Sequence, residues 1–386
     1  MLQRTAVWRI FAALISTLTK VYMITREDVL KALSNVQEPD LGKDLVTLNM
    51  VQDIEINEKE ISFTVVLTTP ACPLKEMIER ACVNAIHLLV DKEAEVTVNM
   101  TANVNSNRKD NKSLLPGVKN IIVVASGKGG VGKSTIAVNL ALGLAHEGAS
   151  VGLLDADIYG PSVPIMLGIR DERPKMMEVN GKGMIVPMER YGIKAMSIGL
   201  LIDEKQAVMW RGPMATSALK QFITDVYWGD LDYLVIDLPP GTGDVHLTLV
   251  QTIPITGAVI VSTPQPVAAA DARKAIMMFK QQNINVPILG VIENMAYFTP
   301  AELPENKYYL FGKGGARKMA EQFELQFLGE VPIVQNIREG GDRGVPAVID
   351  DEPIAKAAFI ELAQRVAQQV AMRNANMEPT KILQVG

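Results

Sequence analysis

The sequence predicts an α/β fold with a mainly parallel, doubly wound sheet, preceded by a small α+β domain. After residue 118, short apolar runs rich in β-branched residues alternate with segments of helical periodicity. These runs are apolar throughout, which is typical of parallel strands covered on both faces. Before residue 102, helical and strand patterns also alternate, but over a much shorter stretch. Together these observations predict two domains of unequal size.

The smaller domain is expected at residues 24–101. Apolar residues at helical spacing and alternating apolar residues predict helix, strand, helix and strand in turn; these elements fall at 28–36, 61–67, 74–90 and 95–101. Residues 102–117 have little apolar content and no periodicity. We therefore expect a linker between the two domains.

The larger domain is expected at residues 118–375. Its predicted parallel strands lie at 120–126, 150–155, 231–237, 257–263 and 288–294. An antiparallel hairpin is predicted from 183–188 and 192–199, joined by 189–191, and the last helix is predicted at 354–372. Residues 376–386 are expected to form a loose tail.

Composition limits the classes of function. The chain has 386 residues and a formal net charge of −5, so there is no global electrostatic reason to expect a nucleic-acid partner. Its two cysteines are too few for a disulfide framework, which fits the cytoplasm. Residues 1–23 form an apolar extension. It is read either as the product of a start codon assigned upstream of the native one or as a weak export or membrane-surface segment, since its uncharged run is too short to span a bilayer.

One glycine-rich motif carries a specific chemistry. Gly127–Ser134 matches G-x-x-x-x-G-K-S, directly after a predicted strand and before a predicted helix that starts at Thr135. In such a P-loop, glycines let backbone amides turn toward phosphate oxygens, the lysine adds a positive charge, and the hydroxyl of Ser134 can bind Mg²⁺. The predicted nucleotide-binding residues are Gly127, Lys128, Gly129, Gly130, Val131, Gly132, Lys133, Ser134 and Thr135.

Two acidic motifs follow later strands. "LLDADIYGPS" places Asp155 and Asp157 at the end of one strand, and "LVIDLPPGTGD" places Asp237 at the end of another. In a doubly wound sheet, these ends hold the carboxylates that organise Mg²⁺ and orient water. We expect Asp155 and Asp237 to bind Mg²⁺ through water, and the glycines and prolines after Asp237 to let that loop change shape.

The motif contains a second lysine, Lys128, which an ordinary P-loop does not require. Within one protomer Lys128 would face solvent. If two protomers close face to face, Lys128 can reach the partner's phosphates and neutralise charge in the transition state, as an arginine finger does. In such a dimer, the loop would respond to dimerisation as well as to the nucleotide.

Three motifs together resemble one family. "GKGGVGKST", "DADIYGPS" and "DLPPGTGD" are similar to those of the Mrp/ApbC iron–sulfur cluster carriers, which belong to the deviant P-loop ATPases together with MinD and ParA. "LTTPACPLKEMI" resembles the MIP-eighteen-like module that many Mrp proteins carry at the N-terminus. The resemblance covers nearly everything after Met23.

The resemblance implies a nucleotide-sandwich homodimer that hydrolyses ATP. In it, Lys128 would act in trans, Lys133, Ser134 and Thr135 would hold phosphates and Mg²⁺, and Asp157 would orient the attacking water. Asn294, in "IENM", falls where such proteins often contact adenine. The family's task would be to hold a [4Fe–4S] cluster, with a cluster assembly scaffold and apo iron–sulfur proteins as partners.

One departure from the family concerns the cluster ligands. The usual C-x-x-C pair after "ENM" is replaced by a stretch without cysteine, and no cysteine follows Cys82. Cys72 remains as a candidate iron–sulfur ligand, because Pro73 is expected at a first helical position, where the helix dipole would favour a thiolate. The alternative for Cys72 is a buried apolar role. Cys82 is expected in the core, and His87, His146 and His246 show no ligand spacing.

Two other functions compete with cluster carriage. A MinD/ParA-like switch would be recruited to a membrane or polymer by ATP-dependent dimerisation, and it requires an amphipathic helix with a lysine-rich polar face. The predicted last helix has Lys356, Arg365 and several glutamines instead, so a membrane partner is not expected. A small-molecule kinase or ligase on the same fold is a third alternative, but no second substrate motif supports it.

Overall fold

A computed structural model describes residues 23–108, 114–202, 212–300, 302–303, 305–380 and 382. The N-terminal extension predicted at residues 1–23 therefore lies, except for its last residue, outside the described part. The chain divides into two compact units. The first consists of the chain up to Leu67 together with Leu74–Thr101, and the second consists of Thr68–Pro73 together with the chain from Ala102 onward.

In its described residues, the first unit consists of a three-stranded sheet, a separate pair of short strands and two helices. In chain order its elements are α1 (Arg26–Leu33), β1 (Gln37–Glu38), β2 (Lys43–Asp44), β3 (Val51–Asn57), β4 (Glu60–Leu67), α2 (Lys75–Leu89) and β5 (Glu95–Ala102). The sheet order is β3-β4-β5, while β1 and β2 pair separately. Thr25 caps α1: its side chain accepts from the amide of Asp28, and the Asp28 side chain accepts from the amide of Thr25. Strand β3 was not predicted, because polar residues interrupt its apolar pattern.

The second unit contains an eight-stranded sheet in the order β10-β11-β7-β12-β6-β13-β14-β15. All neighbours pair in parallel except the edge strand β10, which is antiparallel to β11. The strands are β6 (Val118–Ser126), β7 (Val151–Asp155), β10 (Met188–Arg190), β11 (Ile193–Ser197), β12 (Leu231–Asp237), β13 (Gly257–Ser262), β14 (Ile288–Phe298) and β15 (Phe327–Ile333). This confirms the predicted mainly parallel, doubly wound sheet.

Helices cover both faces of this sheet, since every residue of β7 and β13 is buried. They are α3 (Lys133–His146), α4 (Val163–Met166), α5 (Gly212–Thr224), α6 (Asp244–Thr252), α7 (Pro266–Phe279), α8 (Gly315–Gln322), α9 (Gln335–Arg343) and α10 (Pro353–Asn376). Helix α3 packs on β6, β7 and β12 and against α10, and α7 packs on β13 and β6. Gly143 lets α3 approach α10 closely, because a Cβ there would lie 2.8 Å from that of Ala363.

The hairpin prediction was wrong in its boundaries. Strands β10 and β11 pair as a hairpin, but the turn is at Tyr191 and Gly192, and Glu189 and Arg190 belong to the strand. The first half of the predicted arm instead forms β9 (Lys182–Ile185), which pairs with β8 (Met176–Val179) in a separate two-stranded sheet. Strand propensity alone does not select a pairing partner, so neighbouring apolar runs were assigned to one hairpin.

The described residues of the predicted linker and tail make specific hydrogen bonds with the end of the last helix. Helix α10 continues to Asn376, and Arg373 donates to the carbonyl of Glu378 and to the hydroxyl of Thr380. Asn374 donates to the carbonyl of Asn105, in the former linker. Backbone carbonyls and polar side chains thus hold these segments, and such contacts leave no apolar periodicity in the sequence.

Candidate nucleotide-binding site

The predicted P-loop connects β6 to α3 at the carboxyl edge of the sheet. Gly130 and Gly132 have left-handed backbone conformations, with φ of 80° and 79°. Gly132 is the N-cap of α3, so the helix begins at Lys133, two residues earlier than predicted. Left-handed glycines next to a helix N-terminus let successive amides face one point, which is the geometry that binds phosphate.

The start of the loop is fixed by close packing against α7. A Cβ at Gly127 would lie 2.1 Å from the carbonyl oxygen of Asp271 and 2.3 Å from the amide nitrogen of Ala272. Only glycine fits there without moving a helix backbone. By contrast, no atom lies within 4 Å of a Cβ built at Gly130, where the loop faces open space.

Lys133 is the centre of a buried ionic cluster. Its ammonium lies 2.6 Å from Oδ1 of Asp237 and 3.7 Å from Oδ2 of Asp157, and its side chain is only 6% exposed. Ser134 is next to it, with Oγ 3.4 Å from the same nitrogen. The lysine that is expected to hold phosphate is thus ion-paired with two carboxylates.

Asp155 completes the cluster from the neighbouring strand. Asp155 and Asp237 end β7 and β12 and stand opposite each other in the parallel register. The carboxylate of Asp155 accepts hydrogen bonds from the hydroxyl of Ser197, 2.9 Å away, and from the amides of Asp157 and Val163. Ser197 ends β11 and was not singled out in the sequence. Its place at a strand end was the signal that could have identified it.

Burial is the main cause of the raised pKa values of Asp155, Asp157 and Asp237. It raises the pKa of Asp155 to about 8, and the nearby charge of Asp237 acts in the same direction against the opposing hydrogen bonds and Lys133. Burial also raises the pKa of Asp237 and of Asp157, although Lys133 opposes both shifts. Buried carboxyl groups near one cation have a strong affinity for a further cation or a proton.

The donor atoms fit a hydrated Mg²⁺ ion. Oδ2 of Asp237 is buried and, among the described residues, has no hydrogen-bond partner. The hydroxyl of Ser134 lies near the same lysine, and hard oxygen donors of this kind are those that Mg²⁺ prefers. A cleft of about 440 Å³ adjoins Asp157 and is lined by Tyr159, Gly160, Pro240 and Asp244 among others.

Comparison with known proteins identifies this architecture. The family model described as "NUBPL iron-transfer P-loop NTPase" matches residues 117–370, and that of an iron–sulfur cluster assembly protein matches residues 26–99. The chain belongs to the NUBPL iron-transfer P-loop NTPase family. The iron–sulfur cluster carrier protein of Synechocystis is 48% identical over 91% of this chain and 99% of its own length.

Further members are similar over most of the chain. The iron–sulfur cluster carrier protein of Escherichia coli K12 is 43% identical over 89% of this chain and 92% of its own length. The chloroplastic Fe–S cluster assembly factor HCF101 of Arabidopsis thaliana is 43% identical over 91% of this chain and 65% of its own length. A solved structure of a nucleotide-binding protein from Archaeoglobus fulgidus, in complex with ADP, has a TM-score of 0.55, 38% identity, and coverage of 65% of this chain and 98% of its own.

Other predicted site residues of this family member lie in distinct settings. Lys128 is half-buried in the loop, and no hydrogen bond or ion pair of its ammonium occurs within the described residues. Asn294, in the middle of β14, donates from its side-chain amide nitrogen to the carbonyl of Val131, 2.8 Å away, inside the P-loop. His246 lies in the core as a packing residue, where burial lowers its pKa to about 4 and keeps it neutral.

Cys72 is placed away from the P-loop within the second unit. Cys72 lies in the segment Thr68–Pro73 of the second unit, and α2 begins only at Lys75, so Pro73 is not at a first helical position as predicted. In that segment Thr69 shares a hydrogen bond with Tyr233, near the start of β12, whereas Asp237 ends the same strand. Cys72 therefore lies toward the opposite edge of the sheet from Lys133.

Cys82 is buried on α2, and burial raises its pKa to about 12, so it is an apolar core residue as predicted.

Two further findings concern metal ions and membranes. Over the described ranges, no group of three or more His, Cys, Asp or Glu side chains could hold a metal ion directly, so the Mg²⁺ fit described above relies on Ser134 and on water. Nor is any helix in those ranges long and apolar enough to cross a membrane.

Proposed function

We propose that this protein is an ATP-hydrolysing iron–sulfur cluster carrier that binds a [4Fe–4S] cluster and transfers it to apo-proteins in the cytoplasm. The observation that carries the proposal is the cluster of Asp155, Asp157 and Asp237 around Lys133, behind a preformed P-loop. In such an arrangement, the phosphates of a nucleotide can replace the carboxylates as partners of Lys133, and a cation can replace Lys133 as the partner of the carboxylates. Family membership and the names of the relatives support cluster carriage.

The roles of the residues in hydrolysis follow from their positions. Amides of the P-loop and the ammonium of Lys133 bind phosphate oxygens. Ser134 would hold Mg²⁺ directly and Asp155 and Asp237 through water; the ion would supply charge neutralisation at the phosphates. Asp157 lies at the rim of the cluster, 3.7 Å from Lys133, and orients the attacking water. ATP is the proposed nucleotide because of the family resemblance.

A homodimer completes the proposed mechanism. The ammonium of Lys128 makes no ion pair within the described residues, although it lies on the loop that binds phosphate. We propose that it neutralises transition-state charge in the partner's site. Partners other than a second copy would be apo iron–sulfur proteins and a cluster assembly scaffold.

Complementation between two inactive variants tests this mechanism. Lys128→Ala and Asp157→Asn are each expected to hydrolyse ATP poorly while retaining nucleotide binding, whereas Lys133→Ala should lose both. If Lys128 acts in trans, a mixed dimer of Lys128→Ala and Asp157→Asn contains one complete site. Mixing should therefore restore up to half of the wild-type activity per mixed dimer. Mixtures that stay as inactive as the separate variants would contradict action in trans.

The cargo requires a separate measurement. Cys72 is the proposed cluster ligand from each protomer, with the remaining positions supplied by other groups. Anaerobic reconstitution with iron and sulfide should give cluster absorbance and iron and sulfide in matched amounts, and Cys72→Ala should reduce both. Cys82→Ala is the matched control, because that thiol is buried. Equal cluster content in wild type and Cys72→Ala would remove Cys72 from the proposal.

The MinD-like alternative receives no support from α10. The apolar side chains along its length that are buried in the unit include Phe359, Leu362, Val366 and Val370, whereas Ile354, in its first turn, is exposed. A helix that binds a membrane surface needs an exposed apolar face. Helix α10 therefore does not offer the membrane contact that this alternative requires.

A further inference from the structure

Strand β14 contacts the P-loop directly through Asn294, in the middle of the strand. Asn294 is 6% exposed, and its amide nitrogen donates to the carbonyl oxygen of Val131 at 2.8 Å. Val131 is itself 2% exposed. This hydrogen bond joins residues 163 positions apart in the sequence. Within the described residues, no other side chain distant in the sequence bonds to the loop between Gly127 and Gly132.

The contact determines the direction of a phosphate-facing amide. The peptide group between Val131 and Gly132 is planar and trans, so its carbonyl and its N–H point in opposite directions. Because Asn294 holds the carbonyl on the β14 side, the N–H of Gly132 points the other way, into the cradle that precedes α3. Without that bond, a peptide flip would direct an oxygen toward the phosphates and repel them.

The surrounding backbone is shaped to allow this contact. A Cβ at Gly132 would lie 2.1 Å from the side-chain nitrogen Nδ2 of Asn294 and 3.7 Å from Cε of Met295. Met295 has a left-handed backbone with φ of 54°, and the pairing of β14 with β15 is irregular between Asn294 and Phe298. Such conformations cost free energy and persist where the local structure requires them.

We propose that Asn294 is a positioning residue for the phosphate loop, acting on phosphate binding whatever the base. The inference rests on the nucleotide binding proposed above and deepens it. It replaces the sequence-based expectation that Asn294 contacts adenine. The two roles make opposite predictions for nucleotide discrimination, because an adenine contact distinguishes ATP from GTP and a loop contact does not.

Binding of three probes to two variants tests the proposal. The probes are ATP, GTP and inorganic tripolyphosphate, each with Mg²⁺, and the variants are Asn294→Ala and Asn294→Asp. Loss of one buried hydrogen bond should weaken binding of all three probes about tenfold. Asn294→Asp keeps the side-chain volume but places an acceptor against the carbonyl of Val131, so its loss should be at least as large.

A buried amide outside the site is the matched control. Asn120 is fully buried and donates to the carbonyls of Asn105 and Asp232 at the other end of β6. Asn120→Ala should lower the melting temperature, as Asn294→Ala does, but leave the three dissociation constants unchanged below that temperature. This separates positioning of the loop from general stabilisation.

The outcomes separate the inference from the proposed function. Equal losses for the three probes support positioning by Asn294. A loss confined to ATP, full retention of ATP binding by Asn294→Asp, or tripolyphosphate binding equal to wild type would each overturn it. Failure of the wild-type protein to bind any nucleotide would instead refute the proposed function.

Discussion

Lys133 and its three carboxylates show how single residues define this site. One ammonium faces Asp157 and Asp237 at 3.7 and 2.6 Å, and Asp155 lies behind them without any exposed surface. Taking several charges out of water is costly unless each is compensated, and here one cation compensates incompletely. The buried cluster therefore lowers the stability of the fold, which is typical of residues kept for function.

Stability should depend on pH through Asp155. Its pKa is raised from the ordinary value of 3.8 to about 8, so between these values the folded state binds more protons than the unfolded state. The free energy of unfolding therefore falls as pH rises through this range. Asp155→Asn removes the ionisation, and we expect it to gain at least ~1 kcal/mol relative to wild type between pH 5 and pH 8.

Melting temperatures in EDTA at the two pH values check this expectation. Asp351→Asn, at an exposed position, is the control and should shift the melting temperature equally at both. A constant difference between Asp155→Asn and wild type across the range would show that Asp155 does not hold a proton in the folded protein.

Among the elements, the P-loop is determined by its neighbours α7 and β14 as much as by its own sequence. Gly127 fits under the backbone of Asp271, and Gly132 fits under the amide of Asn294. Gly130 has the same left-handed conformation as Gly132, with open space around it. A side chain at Gly130 would therefore cost only backbone strain, whereas a side chain at Gly132 would cost the same strain and a steric clash with Asn294.

Alanine at these two glycines should have different effects. Gly130→Ala adds only the strain of a left-handed alanine, about 1–2 kcal/mol. Gly132→Ala adds the same strain and also displaces Asn294, so we expect a larger loss of stability and a loss of nucleotide affinity beyond that of Gly130→Ala. Urea unfolding and ATP titration measure both quantities. Equal effects of the two substitutions would indicate that β14 does not constrain the loop.

Sequence periodicity predicted the elements of this site better than their contacts. The apolar runs ending at Asp155 and Asp237 were identified because parallel strands buried on both faces have an unmistakable pattern. The hydrogen bond of Asn294 and the capture of Lys133 by Asp237 were not predictable, because each joins residues more than a hundred positions apart. The pairing of β8 with β9 was missed for a related reason: alternation does not specify a partner strand.

At the scale of the whole molecule, one short segment belongs to a different unit from the residues on either side of it in the sequence. Thr68–Pro73 lies between β4 and α2 of the first unit but belongs to the second. There, Thr69 and Ala71 are buried, and Thr69 lies 3.1 Å from the hydroxyl of Tyr233. Burial raises the pKa of Tyr233 above its ordinary value, so the hydroxyl stays protonated. A domain boundary drawn from composition alone does not separate this segment.

A double-mutant cycle measures what this bond contributes. Thr69→Val and Tyr233→Phe each remove one hydroxyl from a buried pair, and each is expected to cost about 1–2 kcal/mol because the remaining hydroxyl loses its partner. The double variant should cost clearly less than the sum, with a coupling of about 1 kcal/mol. Additive losses in denaturant unfolding would show that the two hydroxyl groups do not interact.

The ion pair between Lys133 and Asp237 has a consequence for how ligands enter. When Lys133 turns to an incoming phosphate, Asp237 is left as a buried anion without a counter-ion. Asp237 would then be available to hold a divalent cation that accompanies the phosphate, and the cation would supply the missing positive charge. Metal and nucleotide should therefore bind with positive heterotropic cooperativity, each raising the affinity for the other by the same factor. An exchange of counter-ions in this pocket would make the protein respond to the metal complex of a nucleotide and ignore the free one.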